Sequence, residues 1–173
     1  QSLDGKVFGV LQFSSPLTEG QKALLLHAGV ELFHYVPDYA FTAVIKQHID
    51  SALFEKTGAI SFFELGAADK LSPLLSENKI PSWAVKSPGS VDIIVHFSKG
   101  IDGMTARRIL EEGNSIVDES WLNYHFLTVR INRNKIPSVA GLSFVEYIEP
   151  AAPDPKPFNY IMRANTRANV LNA

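Results

Sequence analysis

A long pattern occurs twice in this chain, and each occurrence must be a folding unit in its own right. The first opens at Val7 as VFGVLQFSSPLTEGQKALLLHAGVELFHYVPDYAFTAVI, and the second at Val91 as VDIIVHFSKGIDGMTARRILEEGNSIVDESWLNYHFLTVRI. Phe13-Ser14 matches Phe97-Ser98 at an offset of 84 (97 − 13), and Phe41 matches Phe126 at an offset of 85 (126 − 41). One residue inserted near the central hairpin reconciles the two. Units of about 60 to 65 residues are near the lower size limit for an independent core, so packing on something else is expected to help them.

Each copy reads as strand, helix, strand, strand, helix, strand. In the first, Lys6 to Phe13 is dense in Val, Phe and Leu and is broken by Ser14-Ser15-Pro16. Thr18 stands where an N-cap belongs, and Gly29 stops the helix that follows. Val30 to Val36 and Tyr39 to Ile45 flank the turn pair Pro37-Asp38; Gln47 to Lys56 has helical spacing, Thr57-Gly58 stops it, and Ile60 to Leu65 closes the unit. The second copy repeats the order with Val91 to Phe97, Met104 to Glu112, Ser115 to Ser120, Tyr124 to Ile131, Asn134 to Ala140 and Phe144 to Ile148. Such an order predicts an α+β protein of two tandem ferredoxin-like βαββαβ domains, each a four-stranded antiparallel sheet with two helices on one face. The expected boundaries are 1–66 and 90–150, with a linker over 67–89 and a Pro-rich linker and tail over 151–173. Leu71, Leu74, Leu75 and Trp83 are too apolar for a free linker and predict a segment lying on a domain surface.

Composition excludes several classes. A net charge of −2 provides no field for nucleic acid or an anionic membrane, and no apolar run approaches the roughly 20 residues of a spanning helix. The absence of cysteine removes disulfides and thiolate metal sites. His27, His34, His48, His96 and His125 lack the i, i+4 pairing of a metal-binding helix, so no metal or cofactor is expected. No serine lies in a nucleophile elbow and no glycine run forms a phosphate loop, so no catalytic residue is assigned. Phe126 and Arg130 are compatible with an RNA-binding sheet, but the aromatic and basic pattern of that class is missing. Neither loop after a first strand, Ser14-Ser15-Pro16 or Ser98-Lys99-Gly100, carries the arginine that an acylphosphatase-like site needs.

Strand alternation carries the candidate site. In copy two, Val91, Ile93, Val95 and Phe97 share a parity with Leu127, Val129 and Ile131, the face the helices should cover. The other parity reads Asp92, Ile94 and His96 with Phe126, Thr128 and Arg130. In copy one the corresponding outer parity is read as Phe8, Val10 and Gln12 with Phe41, Ala43 and Ile45, apolar where a solvated sheet face would be polar. Phe8, Val10, Phe41 and Ile45 are therefore assigned as partner-binding, since leaving four such side chains exposed forgoes about 1.5 to 3 kcal/mol each.

The openings VLQFSSPLTEGQKALLLHAGVELFHYVPDYAF, the closings ISFFELGAADKLSP and FVEYIEPAAP, and the tail RANTRANVLNA together resemble the N-terminal region of bacterial, secreted, multidomain subtilisin-like serine peptidases. The resemblance covers nearly the whole chain. It implies a non-catalytic pro-region that assists folding of a peptidase domain of the same polypeptide and blocks its cleft. The catalytic Asp, His and Ser motifs of that domain are absent from these residues. It also implies a secreted, periplasmic or cell-envelope location, and Gln1 reads as a mature or trimmed start. The outer face of copy one is then expected to dock on the peptidase domain, or on copy two in its absence. Phe158 to Ala173 is read as the leading edge of the catalytic domain in preference to a cleft-filling segment. A stand-alone module binding a ligand or peptide is the alternative, with Leu71 to Trp83 as one wall of an interdomain groove.

Overall fold

The computed structural model describes residues 3–46 and 49–153. The expected tail beyond Pro153, and the first two residues of the helix expected from Gln47, lie outside them. The fold is mixed α+β, with two antiparallel sheets of four and five strands.

In the first sheet, β1 (Lys6–Phe13), β2 (Val30–Val36), β3 (Ala40–Lys46) and β4 (Ala59–Phe63) run in the order β2-β3-β1-β4. Helix α1 (Glu19–His27) starts with a reciprocal capping box: Thr18 Oγ1 accepts from the Gln21 N–H, and the Gln21 side chain accepts from the Thr18 N–H. Helix α2 (Ser51–Thr57) is capped by Asp50 and ends on Gly58 in the left-handed conformation, φ 73°. One face of this sheet carries Leu11, Phe13, Ala43 and Ile45 against Leu25 of α1 and Leu53 and Phe54 of α2.

The residues expected to be linker hold two elements, α3 (Pro73–Ser76) and β5 (Val85–Ser87). They are built into the second sheet. Strand β5 pairs with β6 (Ser90–Phe97), and Lys70 to Ser72 bracket β9 (Val145–Pro150). There the Ile148 N–H donates to the Lys70 carbonyl at 2.7 Å, and the Ser72 N–H to the Ile148 carbonyl at 2.9 Å. Leu75 is buried, while Leu74 and Trp83 are exposed.

Strand β6 lies between β9 and β8 (Phe126–Asn132), and β8 pairs in turn with β7 (Ser115–Asp118). Helices α4 (Gly103–Glu111) and α5 (Ile136–Ala140) cover one face; Pro137 is tolerated in the first turn of α5, where its missing N–H costs nothing. Under them, Ile93, Val95, Leu127, Val129 and Ile148 are almost fully buried. The predicted inner parity of this unit matches the observed register, with Val91 opposite Ile131, Ile93 opposite Val129 and Val95 opposite Leu127.

Candidate functional site

The four residues assigned to partner binding do not share a face. Phe8 pairs with Val44 and Val10 with Thr42, whereas Ile45 pairs with Val7 and Phe41 with Leu11. Residues opposite one another in an antiparallel ladder point the same way. Phe41 and Ile45 therefore belong to the helix-covered side, where Phe41 meets Phe13 edge-to-face at 6.2 Å. The mismatch comes from the repeat offset: Leu11 pairs with Phe41, and its counterpart Val95 pairs with Leu127, so Phe41 corresponds to Leu127 at an offset of 86. Matching it by residue type to Phe126 displaced the strand by one and reversed its faces.

Phe8 and Val10 do lie on the outer face, and both are buried. Phe8 and Val44 join the apolar core of the second unit, with Leu3 and Phe33 packed beside them. The Lys6 ammonium donates to the Gly100 carbonyl at 2.9 Å, and the Lys70 ammonium to the Leu142 carbonyl at 2.8 Å. Burial holds Lys70 below the usual lysine range, while Glu64 and Glu146 pull against it. This face is thus occupied by the chain's own second unit.

The corresponding face of the second sheet is open. Across it runs an aromatic row: Trp121 stacks on Phe126 at 5.6 Å and 15°, His96 lies 5.4 Å from Phe126, and Tyr147 lies 5.9 Å from His96. The register aligns the row, because His96 is directly opposite both Phe126 and Tyr147. Trp121 and Tyr147 are exposed, as is Tyr124, 5.7 Å from Trp121. His96 Nε2 and Glu149 Oε1 are 3.0 Å apart.

At the other end of the same face, Arg130 donates to both oxygens of buried Asp92 at 2.7 and 3.0 Å. Hydrogen bonding to Asp92 and its charge hold Arg130 above the usual range. The β9 exit borders this face. A groove of about 420 Å³ there is lined by Trp83, Ile94, Tyr147 and Pro150 to Pro153, and the Trp83 indole donates to the Ala151 carbonyl at 3.1 Å.

Strand alternation in the sequence places His96, Phe126 and Arg130 on the outer parity and gives them no role. Trp121 and Tyr147 were missed. Trp121 lies in an irregular turn without periodicity, while strand alternation across β9 could have found Tyr147. Among the described residues, no group of three or more His, Asp or Glu is arranged to hold a metal, and no helix is long and apolar enough to cross a membrane.

A family model described as a domain of unknown function, DUF8729, matches residues 1–65. That span is the first of the two units. No curated protein and no solved structure gives a match.

Proposed function

We propose that this chain is the non-catalytic pro-region of a subtilisin-like serine peptidase, built from two ferredoxin-like units and acting as folding aid, inhibitor or both. Its partner is the peptidase domain of the same polypeptide, and the location that follows is secreted or cell-envelope. The observation that carries the reading is the open, aromatic-lined face of the second sheet. An antiparallel face turned to water is normally polar, and a contiguous exposed aromatic row marks an interaction surface. The first unit's outer face is already covered, so the docking surface moves from Phe8 and Val10 to Trp121, Phe126, His96 and Tyr147. The chain leaves β9 beside this row, which suits a segment that continues from a docked sheet toward its partner. The strand order β2-β3-β1-β4 and the helices on one face support the ferredoxin-like description of the units.

The test is inhibition, and assisted refolding, of the peptidase domain by the purified chain. Trp121→Ala and Phe126→Ala are expected to weaken inhibition about tenfold or more, as central aromatic anchors do, while Tyr35→Ala on the first sheet leaves it unchanged. A chain that neither inhibits nor speeds refolding overturns the reading.

One observation favours a stand-alone binding module. The groove holding Trp83 and Tyr147 is also lined by Pro73 and Pro81, a chemistry that receives extended proline-rich peptides. Its lining comes from the second sheet and the segment before it, so it is not interdomain. A thermal shift with a proline-rich peptide, lost in Trp83→Ala and unaccompanied by any effect on the peptidase, would select this reading.

A further inference from the structure

An edge strand has one row of backbone N–H and C=O groups without a ladder partner, and folded proteins block such rows with charge, proline or a covering segment. In the second sheet, Lys70 to Ser72 run along the outer side of β9, β7 carries Asp118, and β5 carries Lys86. In the first sheet, β2 carries Glu31 and His34 and breaks register after Leu32. Strand β4 is the exception.

Its sequence is Ala-Ile-Ser-Phe-Phe, with neither charge nor proline. It stands at the end of the order β2-β3-β1-β4 and pairs with β1. Among the described residues, no backbone bond reaches Ala59 to Phe63 from the other side. Register with β1 breaks at Ile60, and from Ser61 to Phe63 the pairing is regular. Two large apolar side chains stand in water there, Ile60 at 61% and Phe63 at 48% exposure. Glu64, the first charge beyond the strand, attracts Lys70.

We propose that this edge pairs with the β4 edge of a second copy of the chain, antiparallel about a two-fold axis, joining two four-stranded sheets into one of eight strands. What a free edge accepts is an extended backbone with unpaired groups of its own. The segment Ala59–Phe63 is itself such a backbone: it is extended, every residue has an N–H, and meeting its own copy brings no charge within the strand against its like. A two-fold contact uses the same patch on both copies, so it closes at the dimer. Ile60 and Phe63 of both copies then lie along one seam and lose contact with water. A five-residue edge buries less than the roughly 1,200 Å² at which standard interfaces begin, so the dimer forms at high concentration and dissociates on dilution. No residue of the open face of the second sheet takes part, so the inference stands apart from what that face binds.

Sedimentation velocity on the full chain is expected to show monomer at about 1 μM and mostly dimer at about 200 μM. Hydrogen exchange followed by mass spectrometry should slow in the β4 peptide over that range and stay constant in the β7 peptide. Ile60→Lys, a change at an exposed position without a partner on β1, should weaken association about tenfold or more, as lysine on an edge does. Val117→Lys, on the edge of the second sheet, should not. A chain that stays monomeric throughout overturns the proposal, as does a dimer that Ile60→Lys leaves unchanged. Protection of β4 in the monomer, independent of concentration, assigns the edge to a segment of the same chain and overturns it as well. Should Ile60→Lys fail to fold, Phe63→Lys decides by the same criterion.

Discussion

Gly100 lies so close to Val44 that a β-carbon placed on it would overlap Val44 Cγ2, with Phe33 3.4 Å away. Glycine at this point lets the loop after β6 seat on the first sheet. Gly100→Ala is expected to destabilise the protein by about 1 to 3 kcal/mol, the usual cost of overpacking. Adding Val44→Ala should recover part of that loss. Urea unfolding of both single variants and the double variant checks it: strictly additive losses would mean that the contact does not couple the residues.

The capping box at α1 gives a local test. Thr18→Ala removes the acceptor of the Gln21 N–H and should cost about 0.5 to 2 kcal/mol. Gln21→Ala should cost less when made on Thr18→Ala than on the parent, because the two bonds are reciprocal. Equal losses in both backgrounds would contradict that coupling.

The Asp118 carboxyl is held below the usual range by hydrogen bonds from the Ser120 hydroxyl and backbone N–H. The associated stabilisation is present above the ordinary carboxylate value of about 3.9 and is lost as pH falls through the lowered one. Ser120→Ala should raise the titration of Asp118, followed by NMR, and flatten this part of the acid limb. An unmoved titration would show that the hydroxyl contributes nothing.

At the β9 exit, Trp83→Phe removes the donor to the Ala151 carbonyl while keeping most of the apolar contact. The expected loss is about 0.5 to 1.5 kcal/mol of global stability, with faster exchange of the Ala151 amide, which donates to the Asp92 carbonyl at 2.9 Å. Exchange unchanged from the parent would mean that the indole does not hold the exit segment.

Local signals were readable in the sequence and long-range ones were not. Strands β1 and β2 have the bounds expected from their apolar runs and the Ser-Pro and Pro-Asp breaks, and Thr18 caps α1 as expected. Each of these depends on neighbours within a few residues. The faces of β3 depend instead on its register with β1, and matching Phe41 to Phe126 could not supply that register. The loop before β3 occupies 37–39, whereas the loop before β8 occupies 119–125 and contains a 3₁₀ turn. Copies with such different hairpins keep no single offset. The α3 and β5 elements inside the segment read as a surface-bound linker are hidden for a related reason. Serine and proline around Leu71 and Trp83 break periodicity, while the bonds that order this segment reach to Ile148 and Ala151. The aromatic row was visible in part, through His96 and Phe126, and escaped where Trp121 sits in an irregular turn.

The bond between Lys70 and Ile148 also bears on how the molecule is made. Domains form in order as a chain emerges during synthesis. The first sheet needs nothing beyond Phe63 to complete its four strands. The second needs β9, the last strand among the described residues, before β6 has both neighbours and before Lys70 to Ser72 have an edge to cover. During the interval, nascent chains carry Phe8 and Val44 uncovered, and the ribosome-bound intermediate is stickier than the finished protein. A pause in translation before β9 has emerged from the ribosome would prolong that exposure.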